Sequence, residues 1–265
     1  MSTSGPAAEF RRLHADGILV LANVWDAMSA RLVASLGARA VATTSAGVAW
    51  SNGYPDGDRL PVPLLLGAVE RMARVVSVPL TVDCEGGYAA DPAAVAQTIA
   101  AVADAGAVGI NLEDGFDPAD VLTAKIAAIR ARGTDVFVNA RTDVYLKGLV
   151  EPGRRVEETL RRAAVYRAAG ADGLFVPGVV DRDEIRAITS GAGLPVNVLV
   201  RAGLPGAAEL SSLGVRRLSA GSDVAEAVLG RAASLVRAFL ADGASEPLSD
   251  GAMPYPDVQD LMSPR

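Results

Sequence analysis

The chain has 265 residues, half of them hydrophobic and 21% charged, which provides for a sizeable core and excludes global disorder. A net charge of −6 excludes a broad electrostatic grip on nucleic acid or an anionic membrane. One cysteine, Cys84, and one histidine, His14, exclude an internal disulfide, a cysteine-based zinc centre and a two-histidine metal site.

The opening residues lead into a charged segment rather than an apolar leader core, and no apolar run approaches the roughly 20 residues of a membrane span. A cytoplasmic protein is the expectation. Along the chain, short aliphatic runs alternate with amphipathic stretches. Residues 18–24 read as the first strand and 27–36 as a helix that stops at Gly37. A strand at 40–44 is followed by a long loop at 45–58 carrying Gly47, Gly53, Pro55 and Gly57. A helix from Pro61 or Pro63 to Val76 precedes a strand at 79–83. Asp91-Pro92 pairs an N-cap residue with a first-turn proline and opens a helix running to Ala105.

The alternation continues with strands at 108–112, 135–140, 173–176, 195–200 and 215–219, separated by helices at 120–132, 154–169, 181–189 and 207–213. A last helix covers 223–241. Eight strand–helix units point to a single (β/α)8 TIM-type barrel, an α/β fold, over residues 1–241, with an arm or tail at 242–265. The competing doubly wound sheet wants a glycine-rich phosphate turn after its first strand, and Asn23-Val24-Trp25-Asp26 contains no glycine.

Barrel active sites lie at the C-terminal strand ends. Asp26 stands after the first strand, Thr44, Ser45 and Gly47 after the second, and Asp143 after the fifth. Asp83 and Glu85 lie at the end of the third strand, where strand alternation would aim both the same way, and Glu113 ends the fourth. Any one acid taken alone could cap a helix or pair with an arginine. Their clustering favours a hard divalent cation, because several converging carboxylates without matching lysines repel one another. Arg141 suits a substrate carboxylate or a developing oxyanion, or else a buried ion pair with Asp143 or Glu113. Backbone N–H groups of the Ser45-Ala46-Gly47 turn could meet an anion. The two lysines, Lys125 and Lys147, do not fit a Schiff-base lysine on a barrel strand. Cys84 is expected to face the packing and His14 to be a surface or N-terminal packing residue.

Seven stretches in order carry a family resemblance: Asn23-Val24-Trp25-Asp26-Ala27, Thr44-Ser45-Ala46-Gly47-Val48-Ala49-Trp50, Gly53-Tyr54-Pro55-Asp56-Gly57, Asp83-Cys84-Glu85-Gly86-Gly87-Tyr88, Gly109-Ile110-Asn111-Leu112-Glu113-Asp114, Asn139-Ala140-Arg141-Thr142-Asp143 and Pro195-Val196-Asn197-Val198. Together they resemble the isocitrate lyase/phosphoenolpyruvate mutase superfamily, in its phosphonomutase-like subgroup, from about residue 18 to 230. The resemblance implies a barrel with Mg2+ or Mn2+ at its mouth and a homodimer or homotetramer, often with the last helix swapped between subunits. It implies Asp83 as the direct metal ligand, with Asp56, Glu85 and Glu113 holding metal-bound water. It makes Ser45, Ala46 and Gly47 the substrate-carboxylate turn, with Trp25 and Asn197 as further substrate contacts and Arg141 and Asp56 as catalytic groups.

The chain also departs from the family pattern. The segment Gly115-Phe116-Asp117-Pro118-Ala119-Asp120 replaces both the Lys-Lys/Arg-Cys-Gly-His loop of the carbon–carbon lyases and the Lys-x-Asn loop of the phosphonate enzymes, and Pro177-Gly178 stands where the lyases carry a glutamate. The expected activity is Mg2+-dependent carbon–carbon cleavage of a small 2-oxo or 2-hydroxy carboxylate through an enolate. Phosphorus–carbon chemistry of the phosphoenolpyruvate mutase or phosphonopyruvate hydrolase kind, and a non-catalytic 2-oxo acid binding protein, are the alternatives. Neither a nucleic acid nor a membrane partner is expected. The general acid or base is open, with Tyr88, metal-bound water and a tail residue as candidates.

Overall fold

The computed structural model describes residues 5–263; residues 1–4 of the opening segment and 264–265 of the tail lie outside the described residues. Nine parallel strands form one ring: β1 (Leu19–Leu21), β2 (Asn23–Val24), β3 (Val41–Thr43), β4 (Leu80–Asp83), β5 (Gly109–Glu113), β6 (Phe137–Arg141), β7 (Gly173–Val176), β8 (Val196–Leu199) and β9 (Val215–Ser219). β1 pairs with β9 and β2 with β3, so the single expected first strand is interrupted at Ala22 and the ring closes through that residue. The architecture is the eight-unit TIM-type barrel.

The helices between strands are α2 (Ala27–Ser35), α3 (Ser45–Ser51), α4 (Val62–Ala73), α5 (Pro92–Asp104), α6 (Ala119–Ala131), α7 (Arg155–Ala169), α8 (Arg182–Gly191) and α9 (Ala207–Ser212). Local chemistry explains their starts. Asp26 caps α2, its carboxylate accepting from Ser29 N at 2.7 Å while Ser29 Oγ accepts from Asp26 N at 3.1 Å. Asp91 and Asp181 cap α5 and α8 with their carboxylates alone, without the return bond. Asp26 is therefore engaged at a helix start.

Two helices fall outside the sequence expectation. The long loop expected at 45–58 begins as α3, whose small residues give no apolar period to read. Before β1, α1 (Pro6–Leu13) closes the N-terminal end of the barrel with Phe10 and Leu13, both buried. Phe10 meets Phe137 edge-on at 5.5 Å, and His14 stacks on Phe137 at 4.3 Å. Gly109 makes room for this plug: a Cβ there would stand 2.6 Å from Phe10 Cε1. His14 is thus an interior packing residue, with Nδ1 2.8 Å from the Phe10 carbonyl oxygen.

The C-terminal part begins with α10 (Asp223–Asp242), in which Ala225 alone is buried. Val228, Leu229, Val236, Phe239 and Leu240 of this helix are exposed. Two short helices follow, α11 (Glu246–Ser249) and α12 (Tyr255–Met262). α12 returns to α2, where Arg31 Nε donates to the Leu261 carbonyl at 2.7 Å. No described helix is long and apolar enough to cross a membrane.

Candidate active site at the barrel mouth

β4 delivers Asp83 to the mouth and stops there. Glu85 does not follow by strand alternation; it lies in a turn with φ +50°, and Tyr88 follows with φ +60°. The pleat argument for Asp83 and Glu85 is therefore corrected: a left-handed backbone, not a period of two, brings Glu85 back beside Asp83, whose Oδ1 accepts from Glu85 N at 3.2 Å. Non-glycine residues in this conformation carry strain of order 1–3 kcal/mol, which the surrounding bonds must hold. Those bonds are present. Glu85 Oε2 accepts from Gly57 N at 2.8 Å and from Asp58 N, and Glu85 Oε1 accepts from the Tyr88 hydroxyl at 3.0 Å. Asp58 Oδ1 accepts from Tyr88 N at 3.1 Å. Below the turn, the buried Lys125 donates to the Gly86 carbonyl at 2.8 Å. Cys84 is buried in the packing, as expected.

Glu85 thus clamps the loop that carries the exposed Asp56 against the strand end that carries Asp83. The charge of Asp56 reaches both Glu85 and Asp83. Burial raises the Asp83 carboxyl above its ordinary range, with Arg141 pulling the other way and Asp56 adding to the rise. Glu85 is raised as well, again chiefly by burial.

β5 and β6 pair Glu113 directly with Arg141, and Arg141 Nη1 lies 2.6 Å from Glu113 Oε2. The same guanidinium donates through Nε to Asp143 Oδ1 at 2.7 Å and through Nη2 to Asp143 Oδ2 at 3.2 Å. The ion-pair reading of Arg141 therefore holds for both acids. Burial pushes Glu113 up to about 8, against the pull of Arg141. Lys147 Nζ is 3.1 Å from Asp143 Oδ2.

Behind this row, the fully buried Asp143 is fixed through its own N–H, which donates to Asp114 Oδ1 at 2.9 Å. Asp114 Oδ2 accepts from Arg162 Nη1 and from the Tyr166 hydroxyl, each at 2.7 Å.

Inside the barrel lies a polar layer. Asn139 Nδ2 donates to Asn111 Oδ1 at 2.9 Å and to Asn197 Oδ1 at 3.2 Å, and Asn197 Nδ2 donates to the Val198 carbonyl at 2.7 Å. Asn197 is 1% exposed, with its carboxamide engaged in this network. Arg217 joins through Nη2 to Asn111 Oδ1 at 3.3 Å and is itself buried, which lowers its pKa to about 10 while the Asp83 charge opposes the fall.

Ser45, Ala46 and Gly47 form the first turn of α3. Gly47 sits where a Cβ would come 2.8 Å from Trp25 Cβ and 2.7 Å from Thr44 Cγ2, so only glycine permits this approach. Trp25 is half-buried and borders a cavity of about 150 Å³ with Trp50, Ala225, Val228 and Leu229.

The sequence reading names Asn111, Asp114 and Asn139 within the stretches of resemblance but assigns them no role, assigns none to Lys125 or Lys147, and passes over Arg217. Asp114 carried a usable signal: it follows Glu113, so strand alternation turns it to the opposite face. Among the described residues, no three His, Cys, Asp or Glu side chains lie close enough to grip one ion directly.

A parallel barrel with a row of acids and one bridging arginine at its C-terminal mouth has the build of a barrel enzyme with its site at that end. Residues 10–240 match the family model described as phosphoenolpyruvate phosphomutase, and the chain belongs to that family. A Burkholderia cenocepacia J2315 structure with a provisional phosphonomutase assignment is 46% identical, with TM-score 0.83 over 88% of this chain and all of that one. Oxaloacetate decarboxylase from Paraburkholderia xenovorans LB400 is 31% identical, over 82% of this chain and 77% of the relative. A 2,3-dimethylmalate lyase structure is 26% identical, with TM-score 0.84 over 97% of this chain and 95% of that one. With these relatives, the chain is a carbon–carbon lyase of the phosphoenolpyruvate mutase/isocitrate lyase superfamily.

Proposed function

We propose that this lyase uses a divalent cation to cleave the bond beside the activated carbon of a small 2-oxo or 2-hydroxy carboxylate, leaving the 2-oxo fragment as its enolate. The observation that carries the reading is the set of acids at neighbouring strand ends, buried Glu85 with half-buried Asp83 and Glu113, beside the bridging guanidinium of Arg141, which pairs with Glu113 and whose charge reaches Asp83.

The donor set fits Mg2+ or Mn2+. It offers carboxylate oxygens and no nitrogen or sulfur, and its acids are raised by burial, a cost that a hard cation relieves. Asp83 would bind the ion directly, and Asp56, Glu85 and Glu113 would hold its water. That arrangement needs no three carboxylates on one ion. When bound, the ion would withdraw electrons from the 2-oxo group and lower the cost of the enolate.

The chain's own groups do the rest. Backbone N–H groups of Ser45, Ala46 and Gly47 receive the substrate carboxylate, and Trp25 supports that turn. Arg141, held flat by Asp143 and Glu113, presents its remaining N–H groups to charge developing on the substrate. Asp56, on the clamped loop, stands at the entrance as a second reactive group, and Asn197 acts as a polar wall through the interior amides. We place the enzyme in the cytoplasm. A second copy of the chain covering α10 makes it a homodimer or homotetramer.

The test is a thermal-shift titration with oxalate, a planar mimic of the pyruvate enolate, with and without Mg2+. A Mg2+-dependent rise in Tm that disappears in Asp83→Ala and Asp83→Asn, both still folded, supports the site. No rise in the wild-type protein sinks it. The similarity to a phosphonomutase-type structure favours a second reading, phosphorus–carbon chemistry. Phosphorus NMR with phosphonopyruvate decides between them: an unchanged spectrum beside turnover of oxaloacetate or a 2-methylmalate retains the carbon–carbon lyase.

A further inference from the structure

The chain carries its positive charge on 23 arginines and only two lysines. Arginine serves the surface pairs, as in Arg12–Glu9, Arg161–Glu158 and Arg186–Asp183. Both lysines stand instead at the catalytic end of the barrel. Lys125 is consumed by the Gly86 carbonyl. Lys147 is not consumed. Its Nζ meets one carboxylate oxygen, Asp143 Oδ2 at 3.1 Å, and lies over the Phe116 ring at 4.7 Å. Its side chain remains 26% exposed.

The placement is specific. A Cβ added at Gly115 would stand 3.3 Å from Lys147 Nζ, so the short loop after Glu113 runs directly against the ammonium. The carboxylate that holds Lys147 also holds Arg141, and Arg141 holds Glu113. Lys147 therefore stands between the loop after β5 and the segment after β6, joined to Arg141 through two ion pairs that share Asp143. Phe116, 77% exposed, offers its ring face to the ammonium. An ammonium gives up a proton that a guanidinium keeps, so a lysine has a use here that the chain's habitual arginine would not serve.

We propose that Lys147 is the proton donor to the enolate carbon, an inference that rests on the lyase reading above. The electron pair of the broken carbon–carbon bond stays on the 2-oxo fragment, and the other fragment leaves as CO2 where the bond is to a carboxylate. The proton passes from Nζ to C3, the N–H bond breaking as the C–H bond forms and the carbonyl is restored. The neutral amine then takes a proton from water, which its exposure permits. Asp143 positions the ammonium.

The reverse half-step tests this without knowledge of the substrate. Pyruvate in D2O with Mg2+ should lose its methyl protons to exchange in the presence of wild-type protein, read by proton NMR. In Lys147→Arg, which keeps charge and pairing, and in Lys147→Gln, exchange should fall by about a hundredfold or more, the range of general acid–base contributions. The Mg2+–oxalate thermal shift should persist in both variants. Exchange at the wild-type rate in Lys147→Arg overturns the inference and leaves the lyase reading standing, as does a wild-type protein that binds oxalate yet exchanges nothing. A wild-type protein that shows neither exchange nor an oxalate shift overturns both.

Discussion

Glu113 and Arg141 face each other across neighbouring strands, in register and 2.6 Å apart. Their pairing joins the acids of β4 and β5 to the Asp143–Lys147 side of the mouth, because the guanidinium spans Glu113 with one edge and Asp143 with another. A lysine at position 141 could satisfy one of these acids as a point charge, but not both in a fixed plane. Arg141→Lys should retain the fold and lose turnover by about 10²- to 10³-fold, the usual cost of a misplaced oxyanion donor. Steady-state kinetics on the substrate found by screening checks this, and turnover within threefold of wild type would remove Arg141 from the mechanism.

Asp114 is the buried anchor behind that row, accepting from the Asp143 N–H, Arg162 and Tyr166. Tyr166→Phe deletes one donor and leaves a carboxylate that still has two partners. The loss should be about 1–2 kcal/mol in denaturant unfolding, in the range for a bond to a charged group. Asp114→Asn should cost more, about 3 kcal/mol, because it removes the charge that the Asp143 N–H, Arg162 and Tyr166 all face, although Arg162 keeps Glu158 as its second partner. Equal midpoints for the two variants would show that Asp114 is not the hub.

These networks also show what the sequence made legible. Strands bounded by glycine and capped helices such as those after Asp26, Asp91 and Asp181 carry their own local signals, so the barrel can be read directly. So can the strand ends Asp83, Glu113 and Arg141. The partners of Asp114 lie 48 and 52 residues away on α7, and no local pattern announces them. Arg217 defeats the usual rule that charge faces water: Arg216 and Arg217 are adjacent in β9, and the fully buried one is not identifiable from a periodicity of two. Glu85 was placed at the mouth by an alternation that ends two residues too early, at Asp83. The α1 plug is legible only in hindsight, through the glycine at position 109 that makes room for Phe10.

That plug gives a pH prediction. Burial, with Arg217 nearby, lowers His14 to about 4 from an ordinary 6.5. A base with a depressed pKa in the folded state takes its proton more readily once unfolded. Its contribution to stability is therefore intact above pH 6.5 and is lost as pH falls from 6.5 towards 4. The shift amounts to about 3 kcal/mol at the acid limit. His14→Phe keeps the aromatic stack and removes the titration. Stability of the variant should fall less steeply over that window, although it loses the contact with the Phe10 carbonyl at every pH. Parallel slopes for the two proteins between pH 6.5 and 4 would contradict the assignment.

The last prediction concerns α10, a 20-residue helix with Ala225 as its one buried residue. Val236 and Phe239, one turn apart, are 53% and 44% exposed, and Leu240 is 78% exposed. Together with Leu229 they form an apolar run along the helix that the chain's own barrel does not cover. Exposed apolar area of this extent usually marks an association surface. A second copy suits it, because closed symmetric pairing lets each chain cover the other's helix with the same residues. Size-exclusion chromatography with light scattering should therefore give a dimer or tetramer for the wild-type chain. The double variant Val236→Asp/Phe239→Asp should shift it to monomer, since each buried carboxylate would lack a partner. A wild-type monomer at all accessible concentrations would refute the proposed covering. It would leave α10 to be explained by a different partner, while the chemistry assigned to the mouth would be unaffected, because Asp83, Glu113, Arg141 and Lys147 all come from one chain.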